Sequence, residues 1–267
     1  MNLKLLLPTY RNRFCFIKNS LEKYQQKDTF NAVLNLGSGE GDYDSMIAGY
    51  AHKMIGCDIN EADVAFAKQL NAGVENLSYQ IENALNLSFP DNTFDLITSM
   101  EVIEHVGEPH QMMKEVARII KDGGYLLITF PSLVFPFTYD PINRLLSYFG
   151  DKKISQGAYA FGHDYLIDPS LFKEWITDFG FEIVEERNMG GYLIGLLEVY
   201  WTGWIQQLFK ANSANVNADK KQVMTLRPTT NEPGLVKITD ILLAIDHFLF
   251  GKSNNSIGKA FVLKKKG

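Results

Sequence analysis

The 267-residue chain predicts an α/β fold, a mostly parallel sheet with helices wound on both faces. Three observations predict it. From Ala32 onward, short apolar runs alternate with helix-like stretches. The first run, Ala32–Leu36, breaks into glycines spaced by two, Gly37, Gly39 and Gly41, and a helix-like stretch follows from Tyr43. The second run, Met54–Cys57, ends in a carboxylate, Asp58. Strand, glycine turn and helix make a small-molecule cradle at the carboxyl end of a strand. Glycine tolerates positive φ and brings no Cβ, so the backbone can lie against a ligand, and a helix N-terminus offers unpaired N–H groups.

In chain order, residues 1–30 read as a helical leader in which Leu21, Tyr24 and Phe30 can pack on the sheet, while Tyr10 and Arg11 are assigned to packing and surface roles. Strands are predicted near 32–36, 53–57, 77–81, 94–99 and 124–130, and helices near 43–51, 61–72 and 108–121. In the last of these, Met112, Met113, Val116, Ile119 and Ile120 recur at helical spacing and form a core face. Asp122-Gly123-Gly124 is expected to stop that helix and start the next strand. Asp168-Pro169-Ser170 opens a further helix, with Leu171, Phe172, Trp175, Ile176 and Phe179 on its buried face. Gly180 ends it, and Phe181–Glu186 is a sixth strand.

Composition narrows the function classes. A net charge of −5 argues against a general nucleic-acid binder, and Lys264–Lys266 reads as a solvated local run. Of the two cysteines, Cys15 and Cys57, the second falls in a buried strand, which points to a reducing, cytoplasmic setting. Leu5–Leu7 is too short an apolar run for a signal peptide or a membrane span.

The dinucleotide fingerprint wants its third glycine three residues after Gly39, where Asp42 stands, so a nicotinamide-dependent oxidoreductase is the weaker alternative. Asp58, 21 residues beyond Gly37, suits paired hydrogen bonds from ribose hydroxyls. The other explanation for Asp58 is an N-cap for the helix beginning near Glu61.

Farther on, Phe89-Pro90-Asp91-Asn92-Thr93-Phe94-Asp95-Leu96-Ile97 is followed by Glu101-Val102-Ile103-Glu104-His105-Val106. With Leu34–Gly41 and Gly56-Cys57-Asp58 in the same order and spacing, this closely resembles class I S-adenosylmethionine-dependent methyltransferases. The resemblance covers about residues 30–132 and, more loosely, 163–188, and points to the broad small-molecule branch that includes quinone-ring and natural-product enzymes. It implies a Rossmann-like, seven-stranded, mostly parallel sheet with an antiparallel last strand, for which Gly258–Lys264 is the candidate. It implies S-adenosyl-L-methionine as cofactor, S-adenosyl-L-homocysteine as product and a small-molecule acceptor, with no nucleic acid. It places Gly37, Ser38, Gly39, Gly41, Asp58, Ile59, Asn83, Ala84, Met100 and Glu101 around the cofactor. Asn83 stands where the family commonly carries an acid beside the adenine, and its amide can still pair with the base edge.

Two histidines are candidate general bases for an acceptor hydroxyl, His105 and His163, because imidazole ordinarily titrates near neutral pH. On a helix, Glu101, Glu104 and His105 would share one face. Some branches bind a divalent metal with that pattern, but a metal is not favoured here. Structural hydrogen bonding is the simplest role for His105.

The expected organisation is a leader over 1–30, a cofactor-binding core over 31–188 plus 256–267, and acceptor-side or lid insertions over 131–168 and 189–255. The first insertion carries Phe135, Phe137, Tyr139, Tyr159, Phe161 and Tyr165, suited to an apolar acceptor and equally to a core. In the second, Tyr192–Phe209 is aromatic with Trp201 and Trp204, Lys210–Pro233 is polar, and Ile238–Phe250 has helical apolar periodicity. Helices packed over the acceptor site are expected, with peripheral membrane contact as the alternative. The predicted function is methyl transfer to oxygen or nitrogen of a small, apolar or aromatic acceptor. A cofactor-binding regulatory or partner protein without catalysis is the alternative.

Overall fold

The computed structural model describes residues 2–25, 29–134, 145, 148–150, 166–197 and 231–267. Seven strands form one sheet: β1 Phe30–Leu36, β2 Ala51–Asp58, β3 Leu77–Ile81, β4 Phe94–Met100, β5 Ile120–Pro131, β6 Phe181–Asn188 and β7 Gly258–Lys265. Their order is β3-β2-β1-β4-β5-β7-β6. β1 to β5 are parallel, with Leu34 opposite Ile55 and Ile97, and Ile97 opposite Leu126. β6 and β7 run antiparallel: Met189 N–H reaches Gly258 O at one end, and Lys266 N–H reaches Gly180 O at the other. The chain winds outward from β1 through β2 to β3, then returns to β4 on the other side of β1. Loops from neighbouring strands therefore diverge at the carboxyl ends of β1 and β4, which is where such sheets take ligands.

Burial explains why these runs are strands. The last four residues of β1, the last five of β4 and the first six of β7 are buried, as expected of strands covered on both faces. β3, at the sheet edge, buries only Tyr79. The helices are α1 Pro8–Tyr24, α2 Asp44–Ala48, α3 Glu61–Leu70, α4 Pro109–Ile119, α5 Pro169–Asp178, α6 Tyr192–Leu196 and α7 Val236–Phe250. Met112, Met113, Val116 and Ile119 of α4 are fully buried, as the spacing requires. Phe130, Phe172 and Phe261 pack together between β5, α5 and β7. Leu171 of α5 is exposed, Pro169, Phe172 and Ile176 are buried, and Trp175 and Phe179 are half-buried against His110.

One boundary differs from expectation. Gly123 and Gly124 do not stop α4. The helix ends at Ile119, and Ile120 already has extended backbone. The glycines lie inside β5, where Phe94 pairs with Ile120 but Leu96 with Tyr125. The surplus residues form a bulge at Gly123, whose φ is +78°. Lys121 closes the bulge on Asp95 at 2.7 Å, and the other Asp95 oxygen accepts the Ala32 N–H.

Two compact units make up the chain. One comprises Phe14–Phe130, Pro169–Arg187 and Ala260–Gly267, and it holds most of the sheet. The other comprises Met1–Arg13, Pro131–Asp168 and Asn188–Lys259. In the second, Ile194 and Ile257 form a buried pair against Leu166, Tyr192, Leu197, Leu242 and Leu243. Arg11 makes a two-pronged ion pair with Asp240 of α7, at 2.8 and 3.0 Å. Among the described residues, no helix is long and apolar enough to cross a membrane.

Candidate cofactor site

The glycine loop is held by the end of β2. Gly37 and Ser38 N–H groups both donate to Cys57 O at 2.8 Å, and Gly39 N–H donates to Asp58 Oδ2 at 2.8 Å. Gly41 N–H turns back to Ser38 O. These donors are therefore spent inside the protein, and α2 behind them has only five residues. That differs from the expected cradle of unpaired N–H groups: the loop is built to hold its own shape rather than to wrap an anion. Gly37 and Gly41 are obligatory for it. Both have φ above +70°. A Cβ on Gly37 would collide with Val102, and one on Gly41 would lie 2.6 Å from the Tyr79 hydroxyl.

Asp58 ends β2 with one backbone N–H on each oxygen, from Gly39 at 2.8 Å and from Asn60 at 2.9 Å. A carboxylate accepts about four hydrogen bonds, so each oxygen retains capacity. Asp58 is not the cap of α3. Asn60 is, its Oδ1 accepting from Ala62 and Asp63 N–H groups. Ile59 beside it exposes 69% of its surface. After β3, Asn83 is exposed and accepts from Leu85 N–H at 3.0 Å, with Ala84 next to it half-buried. After β4, Met100 is buried and Glu101 takes a left-handed conformation, φ +58°. Its N–H donates to Thr129 O, and its carboxylate accepts from the Thr129 hydroxyl at 2.8 Å. Gly37–Gly41, Asp58–Ile59, Asn83–Ala84 and Met100–Glu101 thus follow the carboxyl ends of four adjacent parallel strands.

The expected single helical face of Glu101, Glu104 and His105 is not formed. Glu101 precedes the turn with positive φ, and only Ile103–His105 is helical, as a short 3-10 turn. Glu104 is fully buried, while His105 is exposed, its Nε2 3.9 Å from Glu104 Oε1. Among the described residues no three His, Cys, Asp or Glu side chains group as a metal site. His163 lies outside the described residues, as do Phe135, Phe137, Tyr139, Tyr159, Phe161, Tyr165, Trp201 and Trp204.

A ligand carrying hydroxyl donors and a polar group fits what is present. Among the described residues, apart from Gly39 and its two chain neighbours, no heavy atom lies within 4 Å of the position a Cβ on Gly39 would take. The Ser38 and Ser99 hydroxyls, like those of Ser20 and Thr29, are buried with no hydrogen-bond partner among the described residues.

A sequence profile described as "Methyltransferase domain" matches residues 34–128. The ubiquinone/menaquinone biosynthesis C-methyltransferase UbiE of Francisella tularensis subsp. novicida is 33% identical over 181 residues, 61% of this chain and 72% of the relative. The chain belongs to the class I S-adenosylmethionine-dependent methyltransferases. Solved structures agree on the fold. YcgJ from Bacillus subtilis superposes with a TM-score of 0.56 at 19% identity, covering 93% of this chain and 99% of that one. Phosphoethanolamine N-methyltransferase 2 of Haemonchus contortus, in complex with S-adenosyl-L-methionine, gives 0.58 at 19%, covering 93% and 52%.

The methyltransferase uses S-adenosyl-L-methionine and releases S-adenosyl-L-homocysteine. Beneath its glycine loop lies a buried polar chain that sequence reasoning missed. Thr98 Oγ1 donates to Asn35 Oδ1 at 2.9 Å, and Asn35 Nδ2 donates to Asp44 Oδ1 at 2.6 Å. The Tyr79 hydroxyl donates to Asp44 Oδ2 at 2.7 Å and accepts from Asn71 Nδ2, which also reaches Gly41 O at 3.0 Å. Burial pushes the Asp44 carboxyl up to about 6, against the two donors that pull it down. Burial, with the nearby Asp44 charge, also raises the Tyr79 hydroxyl far above its usual range. The signal was present as Asn35, a polar side chain inside an apolar strand, but its partners come from α2 and β4, and Tyr79 of β3 joins through Asp44.

Proposed function

We propose that the methyltransferase binds its cofactor across the carboxyl ends of β1 to β4 and methylates an apolar, ring-bearing small molecule of quinone or phenol type. The observation that carries the cofactor half is Asp58, held by the glycine loop it closes and retaining acceptor capacity on both oxygens. In this proposal Asp58 takes the ribose hydroxyls, Ile59 covers the adenine with its exposed side chain, and Asn83 and Ala84 border the base edge. Ser38, Gly39 and Gly41 lie along the cofactor, and Met100 and Glu101 line its methionine end. Bound there, the cofactor supplies a methyl group on a positively charged sulfur. The protein's work is alignment of the acceptor and exclusion of water.

The acceptor class rests on the relatives described as ubiquinone/menaquinone C-methyltransferases. Carbon is therefore a candidate methylated atom beside the oxygen or nitrogen expected from the sequence. His105 is the proposed proton acceptor, an exposed imidazole whose Nε2 lies 3.9 Å from Glu104 Oε1. Cytoplasmic residence belongs to the same proposal, supported by the Cys57 thiol buried in β2.

Calorimetric titration with S-adenosyl-L-methionine and S-adenosyl-L-homocysteine tests the site. Wild type is expected to bind both, and Asp58→Ala to bind at least about tenfold more weakly while remaining folded. Equal affinity in the variant removes Asp58 from the ribose. For His105→Gln, turnover of a phenolic or quinol acceptor is expected to fall about 10²-fold or more with cofactor affinity unchanged. Unchanged turnover assigns the proton elsewhere.

A further inference from the structure

α7 presents an apolar face to solvent. Its inward side buries Val236, Thr239 and Asp246. The opposite side exposes Ile238, Ile241, Ile245, Phe248 and Leu249, with Phe248 exposed over 87% of its surface. These positions fall on one stripe at helical spacing. The charges are sorted with equal consistency. Both acids of the helix face away from the stripe: Asp240 pairs with Arg11, and Asp246 accepts N–H groups of Gly191, Leu193 and Ile194 at the start of α6. Lys237, near one end, and Lys252, just past the other, are exposed.

We propose that this face of α7 docks on an anionic phospholipid surface, the stripe entering the headgroup–acyl boundary and the two lysines meeting lipid phosphates. An amphipathic helix with an apolar face, flanking lysines and no acid on that face has the features of a segment lying in the membrane plane. A second copy of the chain is the competing occupant, and charge disfavours it. Paired antiparallel with itself, the helix sets Lys237 against the copy's Lys252. Paired parallel, each lysine faces its own equivalent. Either arrangement places like charges together at the rim of a desolvated contact, whereas a phosphate layer accepts both lysines. This inference goes beyond the methyl-acceptor proposal and does not depend on it.

Co-sedimentation of the full chain with vesicles tests it. Wild type is expected to sediment with vesicles containing phosphatidylglycerol, and more weakly with pure phosphatidylcholine vesicles or at high salt. Ile245→Glu combined with Phe248→Glu is expected to lower the bound fraction about tenfold or more. Lys237→Glu combined with Lys252→Glu is expected to remove the preference for anionic vesicles. All variants should keep wild-type affinity for S-adenosyl-L-methionine, which separates failure of docking from loss of fold or of the cofactor site. Wild type that stays in the supernatant overturns the proposal, as does unchanged binding by the apolar variant. So does light scattering that shows a dimer dissociated by Phe248→Glu, because a second copy then covers the face.

Discussion

Asp44 answers two opposed demands. Two donors, Asn35 Nδ2 and the Tyr79 hydroxyl, point at its two oxygens, an arrangement made for a carboxylate. Complete burial favours the neutral acid, and the result is a group near 6 instead of the usual 3.8. A carboxyl raised on folding contributes most to stability below its unfolded value and loses that contribution as pH climbs through the folded value. The stability of wild type relative to Asp44→Asn should therefore fall between pH 4 and 6 by on the order of 3 kcal/mol and level off above. Thermal melts across pH 4–8 measure it, and a relative stability that rises over that window would mean a lowered carboxyl. At this scale the sequence was partly legible. The spacing of Gly37, Gly39, Gly41 and Asp58 is local information, and their conformations follow from it. The link from Asn71 through Tyr79 and Asp44 to Thr98 was not legible, because it closes only when β3 and β4 arrive on either side of the first two strands.

Among the elements, the segment from Leu87 to Asp91 shows how a stretch without regular structure is fixed. Arg118 of α4 donates to Leu87 O, Phe89 O and Asp91 Oδ1, and Glu115 on the same helix accepts from Leu87 N–H. Hydrogen bonding to Arg118 holds the Glu115 carboxyl below its usual range. Arg118→Ala removes the donors of two carbonyls and leaves Glu115 without its counter-charge, which should cost about 2–3 kcal/mol. Chemical denaturation measures that cost. An effect within experimental error would mean that the apolar anchors Leu87 and Phe89 hold the segment alone. The helical period of α4 was readable from its methionines and isoleucines, and its C-terminal limit was not. Gly123 and Gly124 carry the composition of a helix stop, yet they serve a bulge whose need arises from the register between β4 and β5.

For the molecule as a whole, alternation of apolar runs and helices was enough to anticipate a doubly wound sheet, because parallel strands need crossovers. The closing strand was anticipated by resemblance rather than by pattern, since an antiparallel strand wedged between β5 and β6 leaves no mark on local periodicity. That order has a consequence for how the molecule is made. β6 and β7 are separated by residues 189–257, yet β7 is what joins β6 to the rest of the sheet. At about 5–20 residues per second on the ribosome, several seconds pass between the appearance of one and the other. For that interval the buried backbone edges of β5 and β6 lack their shared neighbour, and the nascent chain carries two open strand edges available to any other extended peptide.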